Sequence, residues 1–252
     1  QGRAPATEGE KRTVAYLETE FKRLGLTAYK DGSYRQAVPV VQIDPVAVSS
    51  MTLTGDKTAA SLVYKTDMMA WSTRMVPEIK VENSEMVFAG YGIVAPEYNW
   101  NDYEGLDVKG KIVVVLVNDP GFGGEDTTFF KGNTMTYYGR WTYKYEEAAR
   151  QGAKGCFVVH NTVPAGYPFQ VLQTGWNSAH LYLDPRGKNT YYSEGIGWIT
   201  KPAVEKIFAA SGYDFNEVQG QARRPGFKGM ALNASVTFSM DLQVRYDKSY
   251  NV

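Results

Sequence analysis

Residue types that form many enzyme sites are scarce in this sequence of 252 residues. It contains one cysteine and two histidines. A single cysteine excludes an internal disulfide, and the apolar run GCFVV predicts that Cys156 is a small buried hydrophobic residue. Neither His160 nor His180 lies in an HExxH, HxH or HxD pattern. We therefore favour a hydrogen-bonded histidine at the end of a strand over a two-histidine metal site.

Net charge and long apolar runs are also absent. Lysine plus arginine and aspartate plus glutamate both number 27, so no net field favours nucleic acid. The longest aliphatic run, 112–117, is far shorter than the roughly 20 residues of a membrane-spanning helix. We expect neither a nucleic-acid partner nor a membrane span.

A glycine-rich loop follows the most apolar stretch, GKIVVVLVNDPGFGG at 110–124. A strand that runs into clustered glycines raises the question of a phosphate site. Glu125 and Asp126 follow the glycines, however, and there is no GKS or GKT. The acidic groups in NDP and GGED lack the ligand spacing of a calcium loop. The pattern favours a strand that ends in a wide turn with solvated carboxylates.

An amphipathic helix is predicted near the N-terminus, in ATEGEKRTVAYLETEFKRLGL. Val14, Leu17, Phe21 and Leu24 recur at helical spacing, and charged residues occupy the other faces. Thr7 and Glu10 form a capping-box pattern, and Gly25 is a stop signal. The apolar stripe needs a partner surface, and no other helix is adjacent in sequence.

Strand patterns dominate the rest of the chain, with short runs between about 34 and 92 and a final alternating run, LNASVTFSMDLQV. The apolar strand at 110–119, a helix at 138–151 and the apolar run KGCFVVH together predict a crossover between two parallel strands. TKPAVEKIFAASG predicts a further helix capped by Thr200. We expect an α+β, mainly β fold: a β-sandwich or open barrel with flanking helices, plus the N-terminal helix.

The segment TYYGRWTYKYEE crowds aromatic residues and an arginine at a helix start. Such a combination can form a peptide-binding wall. Tyr138, Arg140 and Trp141 are therefore the candidate substrate-contacting residues. The alternative is that Trp141 and Tyr145 face the core while Tyr143 and Lys144 coat the surface.

These stretches resemble a family of bacterial di-zinc aminopeptidases (peptidase family M, number twenty-eight) that carry an inserted protease-associated, or PA, domain. GRAPATEGEKRTVAYLETEFKRLGL resembles the opening helix of the peptidase domain. VFAGYGIVAPEYNWNDYEGLDVKGKIVVVLVNDPGF resembles the body of the PA domain, and KSYNV resembles the strand that returns to the peptidase domain. The resemblance implies a peptidase-domain helix at 1–33, a PA-like domain at 34–245 and the start of the returning strand at 246–252.

The same resemblance implies what the chain does. In this family two zinc ions are held by motifs that lie after the point matching the end of this sequence, and none of those motifs occurs here. No catalytic or metal residue is therefore carried over, and no cofactor is expected in this chain. We expect a fragment that is inactive alone. Its parent would remove N-terminal residues from peptides, and its PA domain would cover the active-site cleft and restrict substrate access.

Partners and alternatives follow from this interpretation. The expected partners are the catalytic domain of the same polypeptide and peptide substrates, and dimerisation through the N-terminal helix is a further expectation. A PA-type interaction module of a non-enzymatic, receptor-like relative is the alternative function. The 18 tyrosines and 5 tryptophans also suggest a carbohydrate-binding domain. The resemblance implies an exported protein, although the chain begins at Gln1 and shows no signal-peptide pattern.

Overall fold

A computed structural model describes residues 2–55, 59–186 and 191–252 of the chain. The helices are α1 (Glu8–Arg23), α2 (Trp141–Arg150), α3 (Thr162–Ala165), α4 (Gln170–Gly175), α5 (Lys201–Ala210) and α6 (Phe215–Ala222). The strands are β1 (Gln36–Val48), β2 (Met51–Gly55), β3 (Ala59–Leu62), β4 (Met68–Trp71), β5 (Glu78–Phe88), β6 (Val94–Ala95), β7 (Trp100–Asn101), β8 (Ile112–Leu116), β9 (Gly155–His160), β10 (His180–Leu183), β11 (Gly195–Thr200) and β12 (Met230–Asn251).

The chain forms two units, and neither is continuous in sequence. The first consists of Gln1–Asp44, Ala179–Thr190 and Gln243–Val252, and the second of Pro45–Ser178 and Tyr191–Leu242. The long strands β1 and β12 each contribute residues to both units. The domain boundaries expected from the sequence, at 33/34 and 245/246, stay a prediction.

The larger unit contains a mixed sheet in the order β12-β5-β8-β9-β11-β4, with β2 also paired to β12 and β3 to β2. The central strands β5, β8, β9 and β11 run parallel to one another, whereas β12 pairs antiparallel with β5 and β4 pairs antiparallel with β11. Every residue of β8 and β9 is buried, as expected for the middle of a covered parallel sheet.

The predicted crossover is confirmed. β8 leads through α2 to β9, and the two strands pair in parallel from Ile112 opposite Gly155 to Leu116 opposite Val159. Helix α2 ends before Gly152, which has a φ of +83° and so adopts a conformation that favours glycine. The chain segment that follows β8 leads into the start of α2. Several polar side chains lie close together there.

The smaller unit contains α1, the first part of β1, β10 and the last residues of β12. β1 and β10 pair antiparallel from Val40 opposite Leu183 to Ile43 opposite His180. Thr7 caps α1 as predicted and accepts a hydrogen bond from the Glu10 backbone N–H. The Glu10 carboxylate in turn accepts hydrogen bonds from the Ser249 hydroxyl and the Tyr250 backbone N–H. The end of β12 is thus one partner of α1.

The apolar stripe of α1 is only partly covered. Val14 is buried and Leu17 and Phe21 are half-buried, but Leu24 is 60% exposed. Dimerisation through this helix stays a prediction.

The expected α+β class is confirmed, with a mixed sheet and several helices. The alternating run in β12 is also confirmed, because Leu232, Ala234, Val236, Phe238 and Met240 are all buried. The sequence interpretation missed helix α6. Its signal was the pair Asp214 and Glu217, since Asp214 caps the helix by accepting a hydrogen bond from the Glu217 backbone N–H.

Candidate functional site

The candidate site begins at the N-terminal end of α2, where the sequence interpretation placed three substrate-contacting residues. A single 3₁₀ turn, Tyr137–Gly139, precedes the helix. Gly139 is buried, and a Cβ atom there would lie 2.9 Å from Asn118 Oδ1 and 3.1 Å from Asp119 Oδ2. The start of α2 therefore packs closely on the turn after β8, and only glycine permits that approach.

Tyr138 is fixed by a carboxylate. Its hydroxyl donates a hydrogen bond of 2.6 Å to Glu97 Oε1, and this bond raises the pKa of Tyr138 to about 12. The same bond lowers the pKa of Glu97. The Tyr138 ring meets Phe130 and Tyr143 edge to face, with centroids 6.1 and 5.1 Å away. Its position is therefore set by contacts within this unit.

Trp141 belongs to a different group of aromatic rings, the tryptophan cluster of Trp71, Trp141 and Trp176. Trp71 is buried and stacks on Trp176 with centroids 4.0 Å apart. Trp141 meets both rings edge to face, at 6.4 Å from Trp71 and 5.4 Å from Trp176. Trp141 and Trp176 are each half-buried, so the cluster presents indole surface to solvent while its base is fixed in the core.

Arg140 lies between these two groups in sequence and is exposed. It occupies the N-cap position of α2 without a side-chain cap bond. Within the described residues its guanidinium takes part in no salt bridge. The structure thus distributes the three candidate residues among different environments: Tyr138 contacts Glu97, Trp141 contacts the other tryptophans, and Arg140 faces solvent.

Lys144, one turn further along α2, corrects the alternative interpretation of this segment. That interpretation placed Tyr143 and Lys144 on the surface, but both are buried, Lys144 completely. Lys144 Nζ donates a 2.8 Å hydrogen bond to the Asn118 carbonyl and lies 5.8 Å from the centroid of the Tyr91 ring. The sequence held a signal, because position 144 falls on the same helical stripe as Trp141, Tyr145 and Ala148.

Two buried carboxylates accompany Lys144. Burial lowers the pKa of Lys144, and the charges of Asp102 and Asp119 oppose that shift. Burial likewise raises the pKa of Asp102, although the hydrogen bond from the Ile93 backbone N–H and the charge of Lys144 counteract that shift. The attraction between opposite charges in a low-dielectric interior lowers the cost of burying each of them. This group ties α2 to the end of β8.

The glycine-rich turn after β8 uses its backbone amides internally. Asp119 is fully buried, not solvated as expected, and its carboxylate accepts hydrogen bonds from the Gly121 N–H and from the N–H and hydroxyl of Thr136. The Gly123 N–H donates to Asn133 Oδ1, and the Gly124 N–H donates to the Gly121 carbonyl. Amides committed in this way do not form an anion cradle, which agrees with the rejection of a phosphate site.

Two further titratable candidates, His160 and Cys156, are buried. His160 Nε2 lies 3.0 Å from the Tyr167 carbonyl oxygen, a distance that fits an N–H donor, and the ring packs against Phe169 and Trp198. Burial lowers the pKa of His160 and raises that of the Cys156 thiol. Across residues 2–55, 59–186 and 191–252, no three histidine, cysteine, aspartate or glutamate side chains come together as a metal site. The expectation that this chain itself holds no cofactor stays a prediction.

Several solved structures are similar to this chain, and two aminopeptidases are among them. No family model and no curated protein matches the chain. An aminopeptidase from Aneurinibacillus sp. strain AM-1 aligns with 99% of this chain and 43% of its own, at 17% identity and a TM-score of 0.41. BSAP, a zinc aminopeptidase from Bacillus subtilis, aligns with 97% of this chain and 40% of its own, at 13% identity and a TM-score of 0.32.

The chain thus spans about two fifths of the length of these two solved structures. In the described part of the chain, no helix combines the length and the apolar character needed to cross a membrane.

Proposed function

We propose that this chain is a PA-like, non-catalytic region of an exported zinc aminopeptidase and that its tryptophan cluster contacts the peptide substrate. The proposal rests on the sequence motifs of that family and on one structural observation. Trp141 and Trp176 expose part of their indole rings, which are fixed on the buried Trp71, next to the exposed Arg140. Rigid aromatic rings bury large contact areas at low entropic cost, and an arginine adds a charged donor.

The proposed role is to bind the peptide substrate and to restrict which peptides enter. The cluster would line one side of the cleft of a complete enzyme and favour peptides short or apolar enough to lie against it. As the family resemblance implies, the zinc ions and the base that activates the attacking water would belong to the catalytic domain of the complete enzyme.

The first test is the hydrolysis of a panel of aminoacyl nitroanilides with added zinc. It compares the 252-residue chain with the same polypeptide extended past Val252. We expect activity in the extended protein only. Activity in the 252-residue chain would overturn the proposal, and activity in neither would favour the receptor-like interaction module.

The second test addresses the tryptophan cluster. In the extended protein, the double substitution of Arg140 and Trp141 by alanine should change the dependence of kcat/KM on peptide length, because it removes the exposed cation and one indole of the wall. The double substitution of Tyr213 and Arg224 by alanine is the matched control, since it removes one aromatic residue and one arginine outside the cluster. An unchanged length preference in the first variant would refute the contact.

A further inference from the structure

A second feature of the larger unit is a cavity of about 460 Å³ at the ends of β8 and β9. Its lining includes Val117 and Asn118, which follow β8, and Asn161, which follows β9. Because β8 and β9 are parallel, their carboxyl ends meet at the same sheet edge, where open sheets bind ligands. The volume lies within the range of about 300–1,000 Å³ that is typical of small-molecule sites.

Helix α6 supplies the polar wall of this cavity. Asn216, Gln219, Gly220 and Arg223 all line it, and their spacing of i, i+3, i+4 and i+7 places them on one helical face. A different face, with Phe215, Val218 and Ala222, is buried. The helix therefore turns its amides and one guanidinium towards the cavity while its apolar face packs in the core.

The polar groups at the cavity are mainly available as donors. Arg223 Nη2 donates one 2.8 Å hydrogen bond to the Phe122 carbonyl, which leaves most of its five N–H groups uncommitted. In the described ranges, the side-chain amides of Asn216 and Gln219 form no hydrogen bond with another residue. The one carboxylate in the lining, Asp119, already accepts three hydrogen bonds from Gly121 and Thr136.

The lining has one arginine and one carboxylate that is already hydrogen-bonded, and this composition favours a ligand with a single negative charge. A single arginine matches the single negative charge of a carboxylate, which it can bind through two parallel hydrogen bonds. A doubly charged phosphate would meet no second cation in the lining and would lie in the same cavity as the Asp119 charge. A free amino acid would also bring an ammonium group, for which the committed Asp119 carboxylate is a poor partner.

We propose that this cavity binds the C-terminal carboxylate of a short peptide. Arg223 pairs with the carboxylate, and the amides of Asn216 and Gln219 bond the preceding peptide groups, which need both donors and acceptors. Phe122 and Val163, which also line the cavity, contact the last side chain. The site is separate from the tryptophan cluster in its residues and does not depend on the proposed aminopeptidase role.

The test uses the 252-residue chain and calorimetric titration with two probes, Ala-Ala-Leu with a free carboxylate and the same tripeptide as its C-terminal amide. We expect the acid to bind at least about tenfold more tightly, because the charge-assisted pair with Arg223 is lost in the amide. Equal binding of acid and amide, absence of saturable binding, or tighter binding of inorganic phosphate than of the acid would overturn the proposal.

Two pairs of variants locate the site. Arg223→Gln should abolish the preference for the acid, while Arg224→Gln, at the neighbouring arginine outside the lining, should retain it. Gly220→Leu should block both peptides, because a Cβ atom at Gly220 meets nothing within 4 Å and a longer side chain can extend into the cavity. Gly220→Ala is its control. If Arg223→Gln folds and still binds the acid more tightly than the amide, the assignment of Arg223 as the carboxylate partner is refuted.

Discussion

Arg140 and Lys144 are two cations one turn apart on the same helix, and their surroundings are opposite. Arg140 is exposed at the N-cap of α2, whereas Lys144 is completely buried and donates to the Asn118 carbonyl. The exposed cation is free to meet a ligand. The buried one is held among Asp102, Asp119 and Tyr91 and links the helix to the end of β8.

The difference shows that charge and helical position do not by themselves identify a site residue. Removing an exposed cation changes the stability of the fold little. An exposed cation at a ligand surface therefore contributes mainly to binding. A buried cation is costly unless the surrounding groups are arranged for it, so its removal affects the fold first. Substitutions at Arg140, at Lys144 and at their neighbours can test this division between a binding cation and a structural one.

The largest effect is expected for Lys144→Ala. It leaves a cavity the size of three methylene groups and an ammonium group, and it leaves the Asn118 carbonyl without this donor, so it should lower the free energy of unfolding by about 2–5 kcal/mol. Arg140→Ala should change this free energy by less than about 0.5 kcal/mol, as is usual for surface substitutions. Urea unfolding of both variants measures the two losses, and equal losses would show that Lys144 matters no more to the fold than Arg140 does.

A volume-matched variant, Lys144→Met, tests the charge separately. Burial lowers the pKa of Lys144 below its ordinary value of 10.5, so the unfolded chain binds more protons between the two values. Stability from this group should therefore rise with pH through that window. The unfolding free energy of the wild-type chain should increase relative to Lys144→Met between neutral pH and about pH 10. A constant difference would show that Lys144 does not titrate with folding.

A smaller effect is expected at Gly139, where the start of α2 packs on the turn formed by Asn118 and Asp119. Gly139→Ala places a Cβ atom 2.8 Å from Met135 Cγ and close to the Asn118 and Asp119 side chains, so it should destabilise the chain by about 1–3 kcal/mol. Gly175→Ala, at the end of α4, is the control because a Cβ atom there meets nothing within 4 Å. The melting temperature should fall for Gly139→Ala, whereas for Gly175→Ala it should rise or fall by a clearly smaller amount.

The smallest effect concerns His160, a buried base in neutral form. Its pKa lies below the ordinary value of 6.5, so its contribution to stability is complete above 6.5 and is lost as the pH falls through the folded-state pKa. The non-titrating variant His160→Phe should lose less unfolding free energy between about pH 7 and pH 5 than the wild-type chain. Parallel pH profiles of the two proteins would show that the titration of His160 does not contribute to the pH dependence of stability.

Much of the local structure was predictable from short-range signals. The caps of α1 and α5 lie at Thr7 and Thr200, the stop of α2 lies at Gly152, and the crossover from β8 to β9 is present as expected. These features depend on spacing and on single residues with strong conformational preferences, so neighbouring sequence suffices.

The candidate site was only partly predictable. The sequence indicated Trp141 but not Trp71 or Trp176, which join it from β4 and from the segment after α4. Residues separated by tens of positions meet only when the sheet order brings their elements together, and no local pattern encodes that order. The polar face of α6 at the cavity was missed for the same reason, although its cap at Asp214 was readable.

The sequence by itself determined the α+β class, the helices with strong caps, the buried parallel strands and the absence of an internal disulfide, because each depends on composition or on periodicity along the chain. The tertiary structure alone decided that Lys144 is buried while Arg140 is exposed, that three distant tryptophans form one cluster, and that Arg223 lines a cavity. These outcomes depend on which surfaces pack together, and the free energy of burial is a property of the packed whole rather than of any one segment.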